Sequence, residues 1–195
     1  LGRLAGVIEE ATLAFEAYDY ARAVERTESF FWSFCDDYLE LVKTRAYGDS
    51  GQPGPASAQA ALALALSALL RLLAPVLPFV TEEVWSWWKV GSIHTAPWPS
   101  AAELGGSVSV TRGDDATGLV LEVASDVLGQ VRKAKTEAKR SMRWPVTTLT
   151  VVDTAGRIAA LRSAEEDLRD AGGVVDLVTI EGDEAGVVVQ LADEE

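Results

Sequence analysis

One cysteine, one histidine and one methionine stand among 195 residues, and each scarcity closes off a chemistry. Cys35 alone can form neither an internal disulfide nor a multi-cysteine metal site. His94, in Ser92-Ile93-His94-Thr95, has no conventional ligands at metal-binding spacing, so it reads as structural. A nucleophilic Cys35 would need a positioned base, and the one histidine is remote in sequence. Between Phe34 and Asp36 in mid-helix, Cys35 reads instead as a small buried hydrophobe. Asp36 and Asp37, as adjacent helical residues, point about 100° apart and cannot share one acid–base site. No glycine-rich phosphate loop is present. The only methionine is Met142, and the chain opens on Leu1-Gly2-Arg3 inside an expected helix, so a piece of a longer protein is expected. No basic region followed by an apolar one opens the chain, so no secretory signal is expected. The most apolar stretch, Ala60 to Leu73, is interrupted by Ser67 and Arg71 and stopped by Pro75, which makes it too short to span a bilayer. A cytoplasmic protein with no catalytic residue, metal ligand or cofactor of its own is expected.

Positive charge is scarce too: the net charge is −13. It is unevenly spread, at −5 over residues 1–100, +1 over 101–143 and −9 over 144–195. Arg132, Lys133, Lys135, Lys139, Arg140 and Arg143 crowd into one short segment. On a helix Arg132, Lys135, Lys139 and Arg143 would share a face, either as a row of charges for a phosphate backbone or as a solvated surface. Phe30-Phe31-Trp32-Ser33-Phe34 and Trp85-Ser86-Trp87-Trp88 read either as core or as stacking platforms for unpaired bases.

Apolar spacing predicts a helix over residues 1–17 through Leu4, Val7, Ile8, Ala11, Phe15 and Tyr18. A second runs from a cap at Asp19 to about Tyr47, with Val24, Phe31, Phe34, Tyr38, Leu41 and Val42 inward. After a Gly/Pro loop, Ser57 caps a third, Ala58 to Ala74. It is apolar almost all round, with Gln59, Ser67 and Arg71 on an outward arc of roughly 120° and Leu66 and Leu70 on the inner side. Pro75 and Pro78 break the chain, and Thr81 opens a fourth helix. A linker over 101–115 contains a possible short strand, Val108 to Thr111. Helix Ala116 to Met142, strand Thr147 to Val152, helix Ile158 to Ala171 and strands Val174 to Ile180 and Val187 to Leu191 follow, the last two as a hairpin. The fold class is mainly α: a helical bundle over 1–100, then a small mixed α/β unit over 116–195.

Three stretches carry a family likeness. Leu72-Leu73-Ala74-Pro75-Val76-Leu77-Pro78-Phe79-Val80-Thr81-Glu82-Glu83-Val84-Trp85 resembles a motif shared by the valyl, isoleucyl and leucyl class I aminoacyl-tRNA synthetases. Phe30 to Lys43 and Ser92-Ile93-His94-Thr95-Ala96-Pro97-Trp98-Pro99 resemble the valyl pattern, and Val131-Arg132-Lys133-Ala134-Lys135 follows it more loosely. The resemblance implies a C-terminal, anticodon-binding region that grips the anticodon stem-loop of valine tRNA. The family's His-Ile-Gly-His and Lys-Met-Ser-Lys-Ser signatures and its editing domain are absent. The chain alone is therefore expected to be no enzyme, although its parent would be a valine–tRNA ligase whose catalytic domain uses ATP. That domain and valine tRNA are the implied partners of a monomer without membrane contact. Leu39 would touch an unstacked base, while Lys43 and Arg45 would meet phosphates. Arg132, Lys135, Lys139 and Arg143 form a second candidate RNA contact. An isoleucyl-type anticodon domain or a helical protein-interaction module are the alternatives.

Overall fold

In the computed structural model, which describes residues 1–48, 53–105 and 116–193, the chain divides into two units. A bundle unit comprises Leu1–Cys35 and Ser50–Thr111, and a mixed unit comprises Asp36–Asp49 and Arg112–Glu195. Residues 101–104, expected in a linker, instead form a short 3₁₀ turn whose Leu104 is buried in the bundle core. The possible strand Val108 to Thr111 lies outside the described residues.

In the bundle unit, α1 (Gly2–Glu16) buries Leu4, Ala5, Ile8, Ala11 and Ala14 at helical spacing. They meet Ala23 of α2 (Tyr20–Ser33) and Ala65, Ala68, Leu69 and Leu72 of α4 (Pro53–Leu73). So many alanines at the contact let helix axes approach closely, since side-chain size sets that separation. Asp19 caps α2 as expected, accepting from the Arg22 N–H at 3.2 Å. Tyr18 does not join the inner face; it turns the chain in the left-handed region (φ 59°) and its ring is exposed.

Helix α4 departs from expectation twice. It starts at Pro53, so Ser57 lies inside it rather than capping it; proline suits a first turn, where its missing N–H is no loss. Arg71, expected on an outward arc, is also buried, while Gln59 and Ser67 of that arc are half-buried. Arg71 is 8% exposed and donates to the carbonyls of Ser67 (3.0 Å) and Pro97 (3.2 Å) and to Glu103 Oε2 (2.6 Å). A buried guanidinium is tolerable only when paired and hydrogen-bonded, and these partners fix the helix's rotation. Leu70 is buried as expected, whereas Leu66 is 40% exposed. The longer α4 is apolar and long enough, on length and composition alone, to cross a membrane. Its Ala65, Ala68, Leu69 and Leu72 pack in the bundle core, as in the core helix of a globular unit.

The hydrogen bond from Arg71 holds the Glu103 carboxyl below its usual range, against the opposing effect of burial. A depressed folded-state pKa gives stability that is present above the unfolded value and lost as pH falls through the folded one. Glu103→Gln should therefore destabilise the bundle unit at pH 7, and the gap to wild type should narrow as pH falls below the ordinary carboxylate range. Urea midpoints over a descending pH series measure this; a gap that does not narrow would contradict it.

α5 (Pro78–Ser86) begins three residues before the expected Thr81, whose hydroxyl instead donates back to the Leu77 carbonyl at 2.8 Å. Glu82 accepts from Ser92 Oγ (2.9 Å) and the Ile93 N–H (2.8 Å), tying down the turn Ile93–Thr95.

In the mixed unit, α3 (Glu40–Ala46) and α6 (Ala116–Glu137) join a three-stranded sheet. Val123, Val127 and Val131 of α6, with Ala124 and Leu128, pack on Leu41, on Val146, Leu149 and Val151 of β1 (Val146–Asp153), and on two short helices. These are α7 (Ala155–Ser163) and α8 (Glu165–Gly172), one helix by expectation but divided at Ala164. No hairpin joins β2 (Val174–Glu181) to β3 (Gly186–Leu191), because β1 runs between them, parallel to β2 and antiparallel to β3. Residues 182–185 instead cross the end of β1, where the Gly182 N–H bonds the Asp153 carbonyl at 3.0 Å. A β-carbon at Gly182 would stand 3.0 Å from Val152, which leaves little room for anything larger than glycine. Arg157 fastens β1 to α6, pairing with Asp153 (2.8 Å), Glu122 (2.8 Å) and Asp126 (3.1 Å).

Candidate nucleic-acid interface

Helix α2 does not run uniformly into α3. Phe34–Leu39 forms a π-helical segment, whose wider turn re-aims the side chains that follow it, and such insertions are frequent at functional sites. Cys35, within it, is half-buried rather than buried. Leu39, the last residue of the segment, is half-buried; beyond it Leu41 and Val42 are core and Lys43 is exposed. Lys43 Nζ lies 3.2 Å from Glu40, three residues earlier. An exposed pair of this kind is worth little, so a phosphate can take the ammonium over. Tyr47, just past the end of α3, is exposed. The sequence marks it only as the end of a helix, yet an exposed ring one turn from a lysine has the chemistry on which an unpaired base can stack.

Three of the seven expected RNA contacts are already engaged inside the fold. Arg45 donates to both carboxylate oxygens of Asp167 on α8, from Nε at 2.9 Å and Nη2 at 2.8 Å. That hydrogen bonding raises its pKa further, and the guanidinium is held by the fold rather than left loose at the surface. Burial raises the neighbouring Tyr38 hydroxyl, while Arg45 pulls it down and Asp167 pushes it up. Arg132 reaches the π segment, donating to the Asp36 carbonyl at 2.6 Å and pairing with Asp37 at 3.6 Å.

Lys135 is the largest correction. It is 1% exposed, and its Nζ donates to the carbonyls of Met142 (2.9 Å) and Gly172 (2.7 Å), while burial lowers its pKa. The helical row of four cations does not exist, because α6 ends at Glu137 and the backbone reverses at Lys139 (φ 54°). Lys139 and Arg143 stand exposed in the turn beyond it.

The aromatics of the bundle unit divide as follows. Trp85 is buried with Leu70, Ala74 and Ile93, and Phe31 and Phe34 pack against the core. Trp32 and Trp87 are exposed, but each indole N–H is directed to a glutamate, Glu28 at 3.4 Å and Glu83 at 3.2 Å. Carboxylates beside a ring repel a phosphate chain, so neither makes a good base platform. Lys89 lies over the Trp88 ring at 4.7 Å.

Comparison with known proteins brings these observations together. Residues 1–151 match the family model for the anticodon-binding domain of tRNA ligases. The chain is 53% identical over 192 residues to a valine–tRNA ligase of Salinispora tropica, covering 94% of this chain and 22% of that protein. A Thermobifida fusca valine–tRNA ligase is 53% identical over 98% of the chain and 21% of its own length, and one from Leifsonia xyli subsp. xyli is 52% identical over 91% and 20%. The chain thus spans about a fifth of the length of these relatives.

Proposed function

From the premise that this chain belongs to the anticodon-binding domain family of tRNA ligases, we propose that it holds the anticodon arm of valine tRNA for a valine–tRNA ligase. The activation of valine with ATP and its transfer to tRNA would then be carried out by a catalytic domain of the same polypeptide. The observation that carries the reading is the surface of α3 and its end, where Leu39, Lys43 and Tyr47 combine apolar contact, a loosely held cation and an exposed ring. Base contact gives selectivity and the cation gives position. The net charge of −13 does not prevent this, because counterion release depends on the few cations that meet phosphates.

A titration of the chain with valine tRNA and with a non-cognate tRNA, over a series of salt concentrations, tests the reading. Valine tRNA should bind more tightly, and Lys43→Ala should flatten the dependence of log K on log[salt] by about 0.7–0.9. Arg45→Ala should leave that slope alone and instead weaken the fold by about 1–2 kcal/mol, since Asp167 loses its bidentate partner. Equal binding of both tRNAs with no effect of Lys43→Ala would sink the assignment of this surface.

A further inference from the structure

The turn after α6 is built in a way that neither packing nor the α3 surface accounts for. Lys139 has a left-handed backbone (φ 54°), the conformation that favours glycine where a helix ends. Helix-terminating bonds surround it: the Arg140 N–H reaches the Lys135 carbonyl at 2.8 Å and the Lys139 N–H that of Thr136 at 3.0 Å. A lysine thus occupies a position where glycine would be unstrained, and its side chain stands in solvent. Strain kept at an exposed charged residue points to a role outside the fold.

The rest of the turn is held firmly. Lys135 binds the Met142 carbonyl from below, and the Arg140 guanidinium lies 4.6 Å over the Trp144 ring, whose Nε1 donates to the Ala192 carbonyl at 2.9 Å. Outward, the segment presents Lys133, Lys139 and Arg143, all exposed and none with an ion pair among the described residues. In a chain of 30 acidic and 17 basic residues, three such cations within positions 133–143 are a segregation of charge.

We propose that the end of α6 and the turn after it form a second RNA-contact surface, which grips the phosphate backbone through Lys133 on the helix and Lys139 and Arg143 in the turn and reads no bases. It rests on the RNA-binding reading above and adds a contact separate from α3. A protein partner would need apolar area beside the charges, and among the described residues of the turn only Met142 is a large apolar side chain that stands exposed. Phosphate contacts position a nucleic acid without selecting its sequence. The turn therefore strengthens binding of cognate and non-cognate tRNA alike.

Lys139→Gly separates the two demands on this position. It should raise the melting temperature, because the left-handed strain is relieved, yet weaken both tRNAs by the same factor and flatten the salt slope by about 0.7–0.9. Lys133→Gln and Arg143→Gln should each flatten the slope similarly, and the triple variant by about 2. An unchanged slope in the triple variant, with Lys43→Ala still flattening it, would overturn this inference and leave the α3 reading intact. Failure of the wild-type chain to bind either tRNA would overturn both. Poly-glutamate binding to the wild-type chain where tRNA does not would assign the turn to an acidic protein instead.

Discussion

Replacing Lys135 with alanine is expected to cost the mixed unit about 2–4 kcal/mol, although the residue touches no ligand. Its Nζ serves the carbonyls of Met142 and Gly172, and truncation leaves both without that donor in a buried setting. The two bonds also join the turn after α6 to the end of α8, so amide exchange should quicken in α8 and at the start of β1. Lys135→Met keeps most of the packed methylenes but not the donor, and should recover only part of the loss. The pH dependence has a definite sign. Burial lowers the folded-state pKa below the ordinary 10.5, so the lysine's contribution is largest above that value and declines as pH falls through the folded one. Wild type should gain on the methionine variant as pH is raised toward 10.5. A Lys135→Ala variant with unchanged urea midpoint and exchange rates would show that the ammonium is dispensable.

The second large effect lies in α4. Leu72 is fully buried among Leu4, Ile8, Leu69 and Ala68, and Leu72→Ala should cost about 2–5 kcal/mol in the bundle unit. Leu66→Ala, on the exposed side of the same helix, should cost less than about 1 kcal/mol. Equal losses in chemical unfolding would mean that the rotation of α4 described above is wrong.

That rotation also marks where local pattern stops being informative. α1 was legible because its apolar residues recur on one face, and the start of α2 because Asp19 has the right side chain to cap it. In α4 nearly every position is apolar, so periodicity cannot orient the helix. Its orientation is decided by Arg71, whose partners Pro97 and Glu103 lie 26 and 32 residues away. Strands β2 and β3 were found almost residue for residue, but their pairing was misread. A turn between two strands reports nothing about a third strand that has come between them. The site divides in the same way. Lys43, taken with Arg45 from the family likeness, does stand exposed, beside the inward Leu41 and Val42. Arg45, Arg132 and Lys135 resembled it in sequence, yet each is drawn into the fold by a group remote along the chain: Asp167, the carbonyl of Asp36, and the carbonyl of Gly172. Tyr47 was missed because a residue at a helix end gives no periodic signal.

The strand order β2-β1-β3 leaves β2 and β3 as the outer strands of the sheet. Val175, Val178 and Ile180 on β2 and Val188 on β3 are exposed, and Gly186–Leu191 holds no charged side chain. Short, β-branched, uncharged edge segments are the material from which intermolecular sheets grow. β2 carries its own gatekeepers in Asp176 and Glu181, whereas β3 has none within its span. Its defence is colloidal rather than local, resting on the mutual repulsion of whole molecules with a net charge of −13. The acidity that looks ill-suited to an RNA partner thus opposes edge-to-edge association of copies of the chain, while the cations proposed to meet RNA lie on α3, at the end of α6 and in the turn after it.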